Sequence, residues 1–246
     1  MPFSAHQTVR SMECDATDHL TIKALARYFQ DIAEAQASSL DNGYDALIQQ
    51  GKAWVICRMY LQINQMPKLL DSVMLNTWPR KNTGLFAVRD YELCNDGGHV
   101  IVSGTAYWAV INFQTRRVER FHDGMMERYM LESRQASDKD TLDKLRHPGF
   151  ADSDIVAKIV AEPSFIDHTH HVNNAEYLRI ISDYLPFDSF NVSNLGVQID
   201  YIQETAQGDT LSVFRKQDGN TTWFQISNSQ GVSVVAKVNQ LNIIAI

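Results

Sequence analysis

Cysteine is scarce in this chain: Cys14, Cys57 and Cys94 are odd in number, far apart and never in a C-x-x-C spacing. That excludes a disulfide framework and a zinc ribbon and leaves the thiols as packed side chains. No apolar run approaches the roughly 18 residues that span a bilayer. Met1-Pro2-Phe3-Ser4-Ala5-His6-Gln7 lacks the basic start and apolar block of a secretion signal. A cytoplasmic protein without membrane insertion is expected. Positive charge is in deficit too, with 22 Lys and Arg against 29 Asp and Glu for a net charge of −7, which argues against nucleic acid as a partner. The one local basic cluster, Arg116, Arg117 and Arg120 with Arg128 just beyond, reads as solvated surface. A G-x-S-x-G nucleophile elbow is also missing, so a serine hydrolase of that kind is excluded.

What remains is an ordinary globular balance, 44% apolar and 21% charged over 246 residues, enough for one large domain or two small ones. Its densest polar feature is Asp167-His168-Thr169-His170-His171-Val172-Asn173-Asn174, followed by Tyr177 and an amphipathic segment. The box reads as the start of a helix, where unpaired N–H groups and a partial positive charge can hold an anion or a developing oxyanion.

The box has a faded copy. Asp15-Ala16-Thr17-Asp18-His19-Leu20 stands 152 residues earlier, with Asp four residues before His in both, and Arg27 and Arg179 each eight residues after that His. A helical period follows each copy: Ile22, Leu25, Ala26, Phe29, Ile32 and Ala33 in the first, Tyr177, Leu178, Ile181, Tyr184 and Leu185 in the second. Strand-like segments come next, at 54–64, 72–79, 85–94 and 100–113, then at 195–202, 210–216, 221–227 and 232–244. Asp96-Gly97-Gly98, Asp218-Gly219-Asn220 and Ser229-Gln230-Gly231 supply hairpin turns. One helix followed by four antiparallel strands, twice over, predicts an α+β fold. Residues 122–150 break the pattern and read as a connection between a unit at 1–121 and one at 151–246, with a short helix around Met125 to Glu132.

A long helix wrapped by an antiparallel sheet and duplicated in one chain resembles a double hotdog. The residues resemble the acyl-acyl carrier protein (acyl-ACP) thioesterases, whose second half carries Asp-x-Asn-x-His-Val-Asn-Asn-x-x-Tyr. Asp167, His171, Val172, Asn173, Asn174 and Tyr177 match it, and Gly51-Lys52-Ala53-Trp54-Val55 and Thr77-Trp78-Pro79-Arg80 extend the likeness over nearly the whole chain. The family places a Glu, often followed by Cys in plant members, in the strand after that helix; Tyr201-Ile202-Gln203-Glu204-Thr205 supplies it. Thr169 departs from the family's Asn and Thr205 from its Cys. The resemblance implies hydrolysis of a fatty acyl thioester, with an acyl-loaded carrier protein as partner and no cofactor or metal. It is compatible with a homodimer.

A thiol with a pKa of about 8.5 leaves without strong acid assistance, so a carboxylate, an imidazole and donors for the carbonyl oxygen suffice. On this reading Glu204 is base or nucleophile, His171 polarises or relays a proton, Asp167 orients, and Thr169 with backbone N–H groups supports the oxyanion. Asn173, Asn174 and Tyr177 line the substrate. Alanines at 24, 26, 33, 35 and 37 leave room for an alkyl chain along the first helix, with Ala33 at the pocket. His168 and His170 are taken as surface residues. The rival readings are an acyl-CoA thioesterase, a hotdog dehydratase, a non-catalytic acyl-binding module and a metal site on Asp167, His168, His170 and His171. Successive residues rarely converge on one ion, which counts against the last.

Overall fold

A computed structural model describes residues 2–121, 125–186 and 193–241. In chain order the strands are β1 (Phe3–Thr8), β2 (Lys52–Ile63), β3 (Ser72–Asn82), β4 (Ala87–Cys94), β5 (Val100–Asn112), β6 (Arg117–Glu119), β7 (Ile155–Val160), β8 (Leu195–Tyr201), β9 (Thr210–Asp218), β10 (Thr221–Asn228) and β11 (Gly231–Gln240). The helices are α1 (Ile22–Ser39), the short α2 (Tyr44–Ile48) and α3 (Asn174–Asp183). All strand pairs are antiparallel in one sheet ordered β1-β3-β4-β5-β2-β8-β11-β10-β9-β7, with β6 beside β5. Read from either edge inward, both halves follow the same order. They meet at the β2–β8 pair, in register from Arg58↔Asp200 to Ile63↔Leu195.

The α+β expectation and the three hairpin turns hold. Periodicity missed the two edge strands, β1 and β7, which precede each helix, and the three-residue β6. The last strand ends at Gln240 rather than at 244, and residues 242–244 of that expectation lie outside the described residues.

The helices bury their apolar stripes on one face of the sheet. Phe29 stacks on Tyr91 of β4 at 4.7 Å between ring centroids. Gly104 of β5 makes this close approach possible, because a Cβ there would stand 2.9 Å from Phe29 Cε2. Side chains of α1, α3 and both half-sheets share one continuous core. Between the helices Glu176, 1% exposed, lies 2.5 Å from Lys23 Nζ and 2.9 Å from Arg179 Nε.

Met126 and Tyr129 lie on the α1 side with Ala33 and Ala37, and residues 134–150 then cross the other face of both halves as a strap. Trp78 Nε1 donates to Arg134 O at 2.8 Å, and the Arg134 guanidinium lies 3.9 Å over the Trp78 ring. Ala136 N donates to Asp90 Oδ2, Arg58 Nη1 to Leu142 O and Leu145 N to Asp200 Oδ2. Leu142 is buried with Tyr60, Val88 and Tyr107. The short helix expected around Met125 to Glu132 is not formed: residues 125–128 turn and the chain then extends. Its backbone groups bond the sheet instead, as Glu132 N does to Pro79 O at 3.1 Å, and a helix would keep such groups for itself.

Burial pushes the Asp200 carboxyl up, against the Leu145 amide, Gln198, Arg58 and Lys144, which favour its charged form. A carboxyl whose folded pKa is raised adds stability below its unfolded pKa and loses it as pH rises through the folded value. Asp200→Asn should therefore be more favourable relative to the parent at pH 7.5 than at pH 5. Urea unfolding at both pH values measures this, and a pH-independent difference would contradict it.

Candidate active site

The two boxes fold into turns of the same build. In the first, Asp15 N donates to His19 O at 2.8 Å, and Asp15 Oδ1 accepts from Thr17 N at 2.8 Å and Thr17 Oγ1 at 2.7 Å. In the second, Asp167 N donates to His171 O at 3.0 Å, and Asp167 Oδ1 accepts from Thr169 N at 2.8 Å and Thr169 Oγ1 at 2.6 Å. The residue before each His is left-handed, Asp18 at φ 63° and His170 at φ 65°. The Asp-x-Thr spacing is thus a side-chain-closed turn.

The box ends at a helix start, as expected: Asn173 is the α3 cap, Oδ1 accepting from Ala175 N at 2.9 Å, and Asn174 the first helical residue, while Asp167 to His171 form the turn before it. Thr21 is the counterpart of Asn173, accepting from Ala24 N at 3.2 Å. An amide and a hydroxyl do the same work at the two helix starts.

The boxes differ in what the imidazole faces. His19 Nδ1 turns back to Thr17 Oγ1 at 2.9 Å, whereas His171 Nε2 faces Glu204 Oε2 at 3.3 Å, with His171 28% and Glu204 41% exposed. Backbone bonding explains why. Val172 N donates to Thr205 O as Leu20 N does to Pro67 O, and Ile202 N and Gln203 N share Ser233 O as Asn64 N and Gln65 N share Ile101 O. Met66, buried at 2% exposure, therefore stands in the first half where Glu204 stands in the second.

Beneath Glu204 runs a buried hydroxyl chain: Tyr177 OH donates to Thr205 Oγ1 at 2.8 Å, and Thr205 Oγ1 lies 2.9 Å from Ser233 Oγ. Burial pushes the Tyr177 phenol up to about 12, so it stays protonated as a donor. Thr205 fills the family's Cys position as a link in this chain. The side chains of Asn173 and Tyr177 are committed to these internal bonds, and the Asn174 carbonyl accepts from Tyr201 OH at 3.3 Å. His168 and His170 are exposed, His168 meeting Tyr44 of the first half edge-on at 4.6 Å.

Glu204 follows β8 just beyond the Arg58↔Asp200 end of its pairing with β2. Arg116 agrees with that placement. It sits in the turn beyond the Lys52↔Asn112 pair, and its Nη2 lies 2.9 Å from Glu204 Oε2. Sequence reading put Arg116 on the surface; the signal that could have found it was its place in the turn leaving β5, which only strand pairing brings to Glu204.

Trp54 lines a crevice between α1 and the sheet, with Ala33 and Ala37 on the helix side and Ala87 and Trp108 on the strand side. Arg89 closes it. This buried guanidinium donates through Nη1 to Gln36 Oε1 at 2.5 Å and Thr77 Oγ1 at 3.1 Å, and no described carboxylate pairs with it. Ala33 is thus apart from the box, on the first half's side of the seam.

A hotdog-like α+β sheet, with carboxylate, imidazole and guanidinium converging where its halves join, defines the class. Residues 2–129 match the acyl-ACP thioesterase N-terminal domain, and residues 153–242 match the acyl-ACP thioesterase C-terminal domain. The chain belongs to the acyl-ACP thioesterase family and is a thioester hydrolase. It is 25% identical over 245 residues to oleoyl-acyl carrier protein thioesterase 2, chloroplastic, of Arabidopsis thaliana, covering 93% of this chain and 67% of that one. Its identity to the palmitoyl-acyl carrier protein thioesterase of Gossypium hirsutum is 23%, covering 89% of this chain and 56% of the relative. Among solved structures, an acyl-ACP thioesterase from Bacteroides thetaiotaomicron superposes with a TM-score of 0.84 at 23% identity, covering 96% of both chains. The 12:0-ACP thioesterase from Umbellularia californica gives 0.79 at 17%, covering 97% of this chain and 96% of that one. At these identities the structures speak for the fold.

Replacing Asn173 by Ala removes the α3 cap and should cost about 1 kcal/mol of stability. An unchanged urea midpoint would show that the cap contributes nothing.

Proposed function

We propose that the chain hydrolyses the thioester of fatty acyl-ACP, releasing free fatty acid, with Glu204 as general base toward water and His171 as its partner. The observation that carries this reading is the 3.3 Å approach of His171 Nε2 to an exposed Glu204 carboxylate, in the half whose counterpart holds Met66. In the step, the carboxylate takes a proton from water as the oxygen bonds to the carbonyl carbon. Collapse of the tetrahedral oxyanion then breaks the C–S bond. The thiol leaves readily, so the site needs no strong acid. Asp167 and Thr169 act together by closing the turn that holds His171. Donors for the oxyanion come from those box N–H groups that the turn does not use.

We read the repeated topology as two tandem hotdog units, at 1–121 and 151–246, joined by 122–150. The first unit supplies the acyl crevice beside Ala33 and the second the chemistry. Family membership supports acyl carrier protein as the donor of the acyl group, and acyl-CoA is the alternative carrier.

Thiol release with acyl-ACP and acyl-CoA in parallel tests catalysis and carrier together, with faster release expected from acyl-ACP. Glu204→Ala and His171→Ala should each lower kcat by about 10²-fold or more in a folded protein. Near-parental hydrolysis by either variant would remove its assignment. Ala33→Phe should shift the products toward shorter chains, and an unchanged product profile would place the alkyl chain elsewhere.

A further inference from the structure

We infer that Arg116 is a positioning residue that the first half of the chain lends to Glu204, so that the reactive carboxylate is set by groups from both halves. This rests on the assignment of Glu204 above. Both neighbours address the same oxygen: Arg116 Nη2 lies 2.9 Å and His171 Nε2 3.3 Å from Glu204 Oε2. A carboxylate on an exposed segment after a strand end rotates freely unless something holds it. Two contacts on one oxygen limit its rotation and leave Oε1 to meet water, which is where positioning serves a base.

The turn that carries Arg116 is built for delivery. Asn112 Oδ1 accepts from Gln114 N at 2.9 Å and Thr115 N at 3.1 Å, while its Nδ2 donates to Glu119 Oε1 at 2.9 Å. Arg116 N donates to Asn112 O at 2.8 Å, and pairing of β6 with β5 closes the hairpin. Arg116 itself is left-handed, at φ 55°. Glycine or asparagine occupies that conformation at less cost, so an arginine there bears strain that the turn alone does not require. Its side chain is 56% exposed, and the Glu204 carboxylate it meets lies across the seam in the other half-sheet.

The test is steady-state thiol release by the full chain carrying Arg116→Ala, Arg116→Lys or Arg116→Gly, with Arg117→Ala as a control of equal charge change. Arg116→Ala should lower kcat about tenfold or more and leave KM within about twofold. Arg116→Lys should recover most of the lost kcat. Arg116→Gly should keep the parental Tm yet lose kcat as the alanine variant does, which a merely structural role would not produce. Arg117→Ala should match the parent. In a Glu204→Gln background, where turnover is already low, removing Arg116 should change it by no more than about twofold, because both act at one group. Parental kcat in Arg116→Ala would overturn the proposal, as would a loss confined to KM, which would make Arg116 a contact for the substrate's own anionic groups. A further full loss in the Glu204→Gln background would overturn it too. Parental turnover by Glu204→Gln alone would instead overturn the assignment of Glu204 itself.

Discussion

The pairing of β2 with β8 is the constraint on which the rest depends. Each half has a free inner strand edge, and unpaired N–H and C=O groups along an edge are costly when buried. Joining the two edges, from Arg58↔Asp200 to Ile63↔Leu195, satisfies both and makes one sheet. It also brings the end of β8 beside the start of β2, which is why Glu204 of one half meets Arg116 of the other. The continuous core and the strap of residues 134–150 secure this seam on its two faces.

The two halves repeat one topology and differ locally where the box meets the strand after it. Both halves keep the Asp-Thr turn and a capped helix, because those bonds fold the chain. The changes fall on groups that do not: His19 returns to Thr17, and buried Met66 takes the place that Glu204 holds in the second half. A buried carboxylate without a partner costs several kcal/mol, so an apolar residue is the cheaper occupant once no chemistry is asked of it. The first half instead contributes the crevice wall, where Ala33 and Ala37 leave space between α1 and the sheet.

Much was legible in the sequence because it depends on local periodicity. The helix after each box, the hairpin turns and the box repeat are each written in residues close together in the chain. Edge strands β1 and β7 escaped because short alternating segments carry a weak signal. The helix expected at Met125 to Glu132 failed because tertiary partners took the segment's backbone groups, Asn42 binding Met125 O and Pro79 O binding Glu132 N. Within the box, the turn closed by Asp167 and Thr169 was not told apart from the helix cap that follows it, since an Asp-x-Thr turn and a cap use the same residue types.

By itself the sequence determined the α+β class and the repeat of the Asp-to-His box ahead of a helix in each half, because these follow from spacing and residue type. Only the tertiary structure decided that Glu204 faces His171, that Met66 is its silent counterpart, that Thr205 links Tyr177 to Ser233, and that Arg116 reaches across the seam. Those relations join residues far apart in the chain, and strand pairing across the sheet, which no local pattern encodes, is what brings them within bonding distance.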